Sequence, residues 1–281
     1  MESQKQLVRE RDALFSPRLH AAELGCAEWL KRIVVIPAEH VPIDVERAIE
    51  WVEKIKSITL SAEQRDAIRT AVASKVMVIT GGPGTGKTTL LNSLLTIFGK
   101  KNLGLLLAAP TGRAAKRMSD ATGREAKTIH RLLEWSPKQG GFTRHEGNPL
   151  TADLVVLDEC SMIDIHLMHA MLRALPPQCS LLLVGDVDQL PSVGPGNVLM
   201  DIIASGIVPI VRLNTVFRQA AESGIISNAH RINTGQFPQF NDRDVFFIER
   251  SEPEKALDTI VEVVSSRLPK RFHLDPIRDI Q

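Results

Sequence analysis

Residues 76–89, VMVITGGPGTGKTT, set an apolar run directly against a glycine-rich loop that ends in a lysine and two threonines. Val76 to Thr80 reads as a buried strand and Thr88 to Gly99 as a helix. Strand, glycine loop and helix in that order are the context a P-loop requires. Gly81, Gly82, Gly84 and Gly86 leave no Cβ in the way of an anion. Successive backbone N–H groups can then turn inward on phosphate oxygens at the positive end of the helix. The phosphate-binding set is Gly82, Pro83, Gly84, Thr85, Gly86, Lys87, Thr88 and Thr89. Lys87 brings a point charge toward the β and γ phosphates, and the Thr88 hydroxyl is placed to hold Mg²⁺. The plain alternative is a glycine turn with a chance lysine, which so many fixed positions in the right context disfavour.

A P-loop needs a carboxylate for its metal, and DLVVLDECSMID supplies one downstream. Leu154 to Leu157 form an apolar strand ending in Asp158 and Glu159. Asp158 is expected in the Mg²⁺ shell, and Glu159 is expected to orient and deprotonate the attacking water. A kinase has no need of that second acid, whereas a hydrolase does. Two acids closing a strand are otherwise a common solvated terminus, and it is the P-loop upstream that favours the metal and base roles.

The runs VMVIT, LGLLLAAP, DLVVLDE, SLLLVGD and IVRLN are each short, apolar and followed by a loop, mostly with a helix beyond. Such strands predict an α/β P-loop fold, a parallel sheet with helices on both faces. The 281 residues suffice for one such domain plus something smaller. With 34 basic and 33 acidic residues the net charge is +1, so any polyanion site must come from local clustering. Cys26, Cys160 and Cys179 show no paired metal spacing and read as reduced core thiols of a cytoplasmic protein. No apolar run approaches ~18 residues and the first residues are charged, which argues against a membrane span or signal peptide.

Local clustering is present. From Thr111 to Arg131, Arg113, Lys116, Arg117, Arg124, Lys127 and Arg131 outnumber Asp120 and Glu125. A patch of that kind at strand ends suits a phosphodiester backbone, although a charged helix face is more often just solvated. In LLLVGDVDQLPSVGPGN a strand ends in Gly185 and Asp186, and Gln189 follows at a spacing that can face a γ phosphate beside Glu159.

Taken in order, LSAEQ, GGPGTGKTT, APTGRAA, TIHRLL, LVVLDECSMID, GDVDQLPSVGPG and LNTVFRQ resemble the successive motifs of superfamily 1 DNA helicases of the RecD/TraA type. The resemblance runs from about residue 57 to 240. It implies a RecA-like motor domain that uses ATP and Mg²⁺ to move 5′ to 3′ on single-stranded DNA and to part duplex junctions. Carried over residue by residue, it implies that Gln64 reads the adenine, Gln189 senses the γ phosphate and Arg218 contacts it. It also implies that Thr111, Gly112, Arg113, Thr128 and His130 lie along the DNA. The alternatives are an ordinary surface glutamine for Gln64, which its place after LSAE just upstream of the P-loop disfavours, and a core-edge histidine for His130.

The resemblance divides the chain into residues 1–56, the helical end of an amino-terminal domain; 57–240, the motor domain; and 241–281, a strand-helix extension toward a second RecA-like domain. Nothing in the chain resembles the motifs of that second domain, so it reads as a fragment of a longer helicase or a truncated gene product. Within the motor, Trp135 and Phe142 flank the Gly140–Gly141 turn, which predicts a hairpin insertion near residues 135–150, the alternative being a surface loop. Aromatic residues make up only 4% of the chain and tyrosine is absent, so DNA contact is expected to be mostly to backbone. A nucleotide- and DNA-binding module without turnover of its own, and a P-loop kinase, remain as the competing readings.

Overall fold

A computed structural model describes residues 7–37, 43–138, 140–217, 223–241 and 243–280. It forms two compact units, Met1–Glu222 and Ser223–Gln281.

In the first unit a small hairpin, β1 (Val8–Glu10) with β2 (Ala13–Phe15), precedes α1 (Pro17–Val34), α2 (Val45–Lys56) and α3 (Ala62–Ala73). The alternating part begins with β3 (Val76–Gly81), α4 (Lys87–Lys100), β4 (Leu105–Ala109), α5 (Gly112–Thr122), β5 (Ala126–Thr128) and α6 (Ile129–Leu132). A minor hairpin, β6 (Trp135–Ser136) and β7 (Gly141–Phe142), leads to β8 (Leu154–Leu157), α7 (Ile165–Ala174), β9 (Ser180–Gly185), α8 (Val198–Ser205) and β10 (Ile210–Leu213). Six strands join in the order β10-β3-β9-β8-β4-β5, and all five neighbouring pairs are parallel.

Strand periodicity assigns the two faces. Val155 and Leu157 enter one core with Val78, Leu181 and Leu183, beneath α1, α6, α7 and α8. Leu154 and Val156 enter the opposite core with Met77, Ile79, Leu182 and Val184, beneath α2, α3, α4 and α5. Burial on both faces explains why these strands carry apolar residues without alternation. Cys26 and Ile33 of α1 belong to the first core, and Ile49 and Val52 of α2 to the second. The helices expected to end a preceding domain therefore pack on this sheet. Because all six strands run the same way, their carboxyl ends and the loops that follow share one edge, where ligands bind in open α/β sheets.

The second unit contains α9 (Gly224–Asn233) and α10 (Pro253–Glu262), which continues through a π turn to Phe272. The strand of the expected strand-helix extension, which falls on the apolar run DVFFIER of residues 244–250, does not form, since no described residue from 243 to 250 lies in a ladder. Asn241 Oδ1 instead accepts hydrogen bonds from the backbone N–H groups of Arg243, Asp244 and Val245. Asp244 Oδ2 accepts from the Gly224 backbone N–H at 2.8 Å. Side chains that satisfy local backbone in this way compete with strand pairing.

Candidate active site

The loop between β3 and α4 depends on glycine at two positions of φ +78°, Gly84 and Gly86. Gly86 also caps α4, and a Cβ there would lie 2.6 Å from Gln64 Nε2 and 2.7 Å from the Phe217 ring. Thr85 Oγ1 donates to Gly82 O at 2.8 Å and braces the turn. Lys87, at the start of α4, points its ammonium back into the loop, donating to Gly81 O and, at 3.2 Å, to Gly82 O. Its nearest carboxylate is Asp186 Oδ2, 3.9 Å away.

β9 separates β3 from β8, and Asp158 follows β8 on the same edge. Asp158 Oδ1 accepts from the backbone N–H of Glu159 at 2.9 Å. Glu159 sits at φ +53°, a left-handed conformation that a residue with a side chain holds only when its surroundings impose it. Burial pushes both carboxyls above the usual range; the charge of Asp158 adds to the rise at Glu159, the hydrogen bond from the Glu159 backbone opposes it at Asp158, and Lys87 and Arg117 act downward on both. Lys87, Thr88, Asp158, Glu159 and Arg117 line one pocket of about 260 Å³. Thr88 therefore brings a hydroxyl and Asp158 a carboxylate to one cavity, a donor pair that suits a Mg²⁺ completed by phosphate oxygens and water.

On the other side of the loop a pocket of about 750 Å³ is lined by Ile58, Thr59, Gln64, Phe217 and all the residues from Gly82 to Thr89, Pro83 included. Gln64 is buried, donating through Nε2 to Gly86 O at 3.2 Å and accepting the Ser61 N–H through Oε1 at 3.0 Å. It is the third residue of α3 and completes a capping box with Ser61. Phe217 donates its backbone N–H to Gly84 O at 3.3 Å. Arg218, next in the chain, lies outside the described residues. Gln189 is exposed, and neither pocket is lined by it. Its backbone N–H donates to Asp186 O at 3.3 Å.

Asp186 and Arg117 are the residues the sequence reading left without these roles. Asp186 is buried and faces Lys87, a position that follows from β9 lying beside β3. Arg117 stands 3.9 Å from Glu159 Oε1. In α5, residues 114, 117, 118 and 121 share one helix face, and all four line the Glu159 pocket.

Farther along the edge, beyond β4 and β5, Gly112, Lys116, Lys127, Thr128 and Arg131 line a polar groove with Glu125. Thr111 and Thr128 cap α5 and α6, accepting the N–H groups of Ala114 and Arg131 at 3.2 Å each. Arg113 and His130 are exposed, and the His130 ring lies 5.6 Å from that of Phe142. Trp135 meets Phe142 edge-on at 5.0 Å across the β6–β7 hairpin. At its base Glu134 accepts from Arg144 Nη2 at 2.7 Å and from Thr143 Oγ1 at 2.8 Å.

The protein family described as "AAA domain" matches residues 64–195. The chain is 36% identical over 231 residues to the ATP-dependent RecD2 DNA helicase of Deinococcus radiodurans, a match covering 82% of this chain and 31% of that protein. It is 39% identical over 194 residues to the RecBCD enzyme subunit RecD of Mycolicibacterium smegmatis, covering 60% of this chain and 35% of that one. Among solved structures, that of Bacteroides Pif1 bound to single-stranded DNA matches with a TM-score of 0.47 and 21% identity, covering 75% of this chain and 57% of that one. The chain thus spans about a third of the length of these two curated relatives.

Proposed function

Since this chain carries a RecD-like superfamily 1 motor domain, we propose that it binds Mg·ATP at the β3–α4 loop and grips single-stranded DNA along the β4–β5 end of the same edge. The observation that carries the reading is the pocket where Lys87 and Thr88, from one strand end, meet Asp158 and Glu159 from another. When bound, Mg²⁺ supplies charge neutralisation between the phosphates, held by Thr88 and Asp158. Lys87 exchanges the carbonyls of Gly81 and Gly82 for phosphate oxygens. Glu159 takes the proton of the attacking water. Gln64 holds the adenine end, and Arg218 and Gln189 respond to the γ phosphate. Thr111, Gly112, Arg113, Thr128 and His130 follow the DNA backbone.

In a protein that joins this domain to the remainder its relatives have, the reading extends to 5′ to 3′ movement and to unwinding at duplex junctions. The β6–β7 hairpin is then the wedge. For the chain by itself we favour binding with little turnover, because Lys87 and Arg117 are the cations lining the two pockets among the described residues and each already faces a carboxylate. Hydrolysis in this reading needs further positive charge from a second wall.

Calorimetry with Mg·ATP tests the site. Lys87→Ala loses about ten- to a hundredfold in affinity, the scale of one or two charge-assisted bonds, while Glu159→Gln binds as the wild type does. Equal affinity in wild type and Lys87→Ala removes the nucleotide assignment.

A further inference from the structure

We propose that Arg117 is a cation shared between the water-activating carboxylate and the nucleic acid, so that DNA on α5 releases Glu159. The inference rests on the reading above that the groove beyond β4 and β5 holds a phosphodiester backbone. Arg117 is on α5 and pairs with Glu159 at 3.9 Å, at the long limit of an ion pair, with 71% of its side chain exposed. Such a pair exchanges partners at small cost. Arg113 is one turn earlier on the same side of α5, at the open end of the helix where the Gly112 Cα faces free space. A phosphate bound beside Arg113 is within one helical turn of a guanidinium whose present partner is a single carboxylate. Lys87, the other cation of the pocket, faces Asp186 and the loop carbonyls and does not compete for Glu159 at ion-pair distance.

Two anions then draw on one cation. With no DNA, Arg117 holds the Glu159 carboxylate toward α5. With DNA, Arg117 turns to the phosphate and Glu159 is left to its water. Because coupling between two sites is reciprocal, the effect is readable in DNA affinity with no turnover at all. Arg117 is in this sense a positioning residue.

The test is a double-mutant cycle on the whole 281-residue chain, with binding of a labelled oligothymidylate followed by anisotropy across a salt series. Glu159→Gln removes the competing anion and tightens binding about threefold, the scale of an exposed ion pair. Arg117→Gln weakens binding by a similar factor and lowers the salt slope by about one. In the Arg117→Gln background the Glu159→Gln gain disappears. Circular dichroism at each salt concentration checks that the folded fraction stays constant, in which case it rescales every affinity alike and leaves the salt slope unchanged, so a partly unfolded variant still reports. A Glu159→Gln gain of equal size in both backgrounds would be a plain charge effect and overturns the proposal, as does no gain in the wild type. Failure of the wild type to bind the oligonucleotide at low salt removes the DNA reading itself, and this inference with it.

Discussion

Gly86 shows how closely the nucleotide loop is fitted at the level of single atoms. Its φ of +78° and the 2.6 Å and 2.7 Å approaches of Gln64 and Phe217 leave no room for a methyl group. Gly86→Ala therefore costs about 1–3 kcal/mol and displaces the Gln64 amide, read as a lowered denaturant midpoint together with weakened Mg·ATP binding. Wild-type stability with Ala at this position would mean that the loop relaxes freely. The cysteines make a separate prediction. Burial pushes the Cys26 and Cys179 thiols up to about 12 from an ordinary value of 9.0, and Cys160 is raised as well. In the unfolded chain these thiols ionise near the ordinary value, so the native state is favoured below it and loses that advantage as pH rises from about 9 toward 12. At pH 8 the native protein should show no fast-reacting thiol toward an aromatic disulfide, and all three after denaturation. A thiol that reacts at once in the native state would refute this.

At the scale of elements, two short structures are built by side chains that no periodicity reveals. The capping box of α3 ties Ser61 to Gln64, so Ser61→Ala, which removes the acceptor of the Gln64 backbone N–H, should cost about 1 kcal/mol, while the Gln64 amide keeps its bonds to the Ser61 N–H and Gly86 O and ATP affinity stays near that of the wild type. A thermal melt and an ATP titration on the same variant check both halves. The hairpin is held at its base by Glu134, Thr143 and Arg144 and near its tip by the Trp135–Phe142 contact. In a longer parent protein, deletion of Pro137 to Arg144 should abolish strand separation and spare DNA-stimulated ATPase, and strand separation that survives the deletion sinks the wedge. The apolar runs of β3, β4, β8 and β9 were legible because burial on both faces leaves only Thr80 and Ser180, at strand ends, as polar residues in them. Their order across the sheet was not, and with it went the facing of Asp186 on Lys87 and of Arg117 on Glu159. These are lateral neighbours set by strand order and helix packing, which spacing along one chain does not encode. The apolar residues of DVFFIER suggested a strand for the opposite reason. The pattern registers hydrophobicity, but Asn241 and Asp244 had already engaged the nearby backbone.

For the whole molecule, the expected behaviour of the purified chain is weak Mg·ATP binding, strongly salt-dependent binding of single-stranded DNA, little DNA-stimulated phosphate release and no strand displacement. Phosphate release with and without an oligonucleotide, beside a strand-displacement assay, measures all but the binding terms. Robust stimulation by DNA in the isolated chain would show that no second wall is needed. The sheet also has a mechanical consequence. β4, which leads to Thr111 and the first residues of α5, is hydrogen-bonded directly to β8, which leads to Asp158, with Leu105 to Ala108 in register against Leu154 to Leu157. If DNA is held at that helix start, as proposed above, the component of a tug that lies along the strand axis loads this ladder in shear, the direction in which its hydrogen bonds share the force. The strands are only about 4.8 Å apart. In that reading the linkage between the DNA end of the edge and the nucleotide end is stiff and very short, with little slack between them.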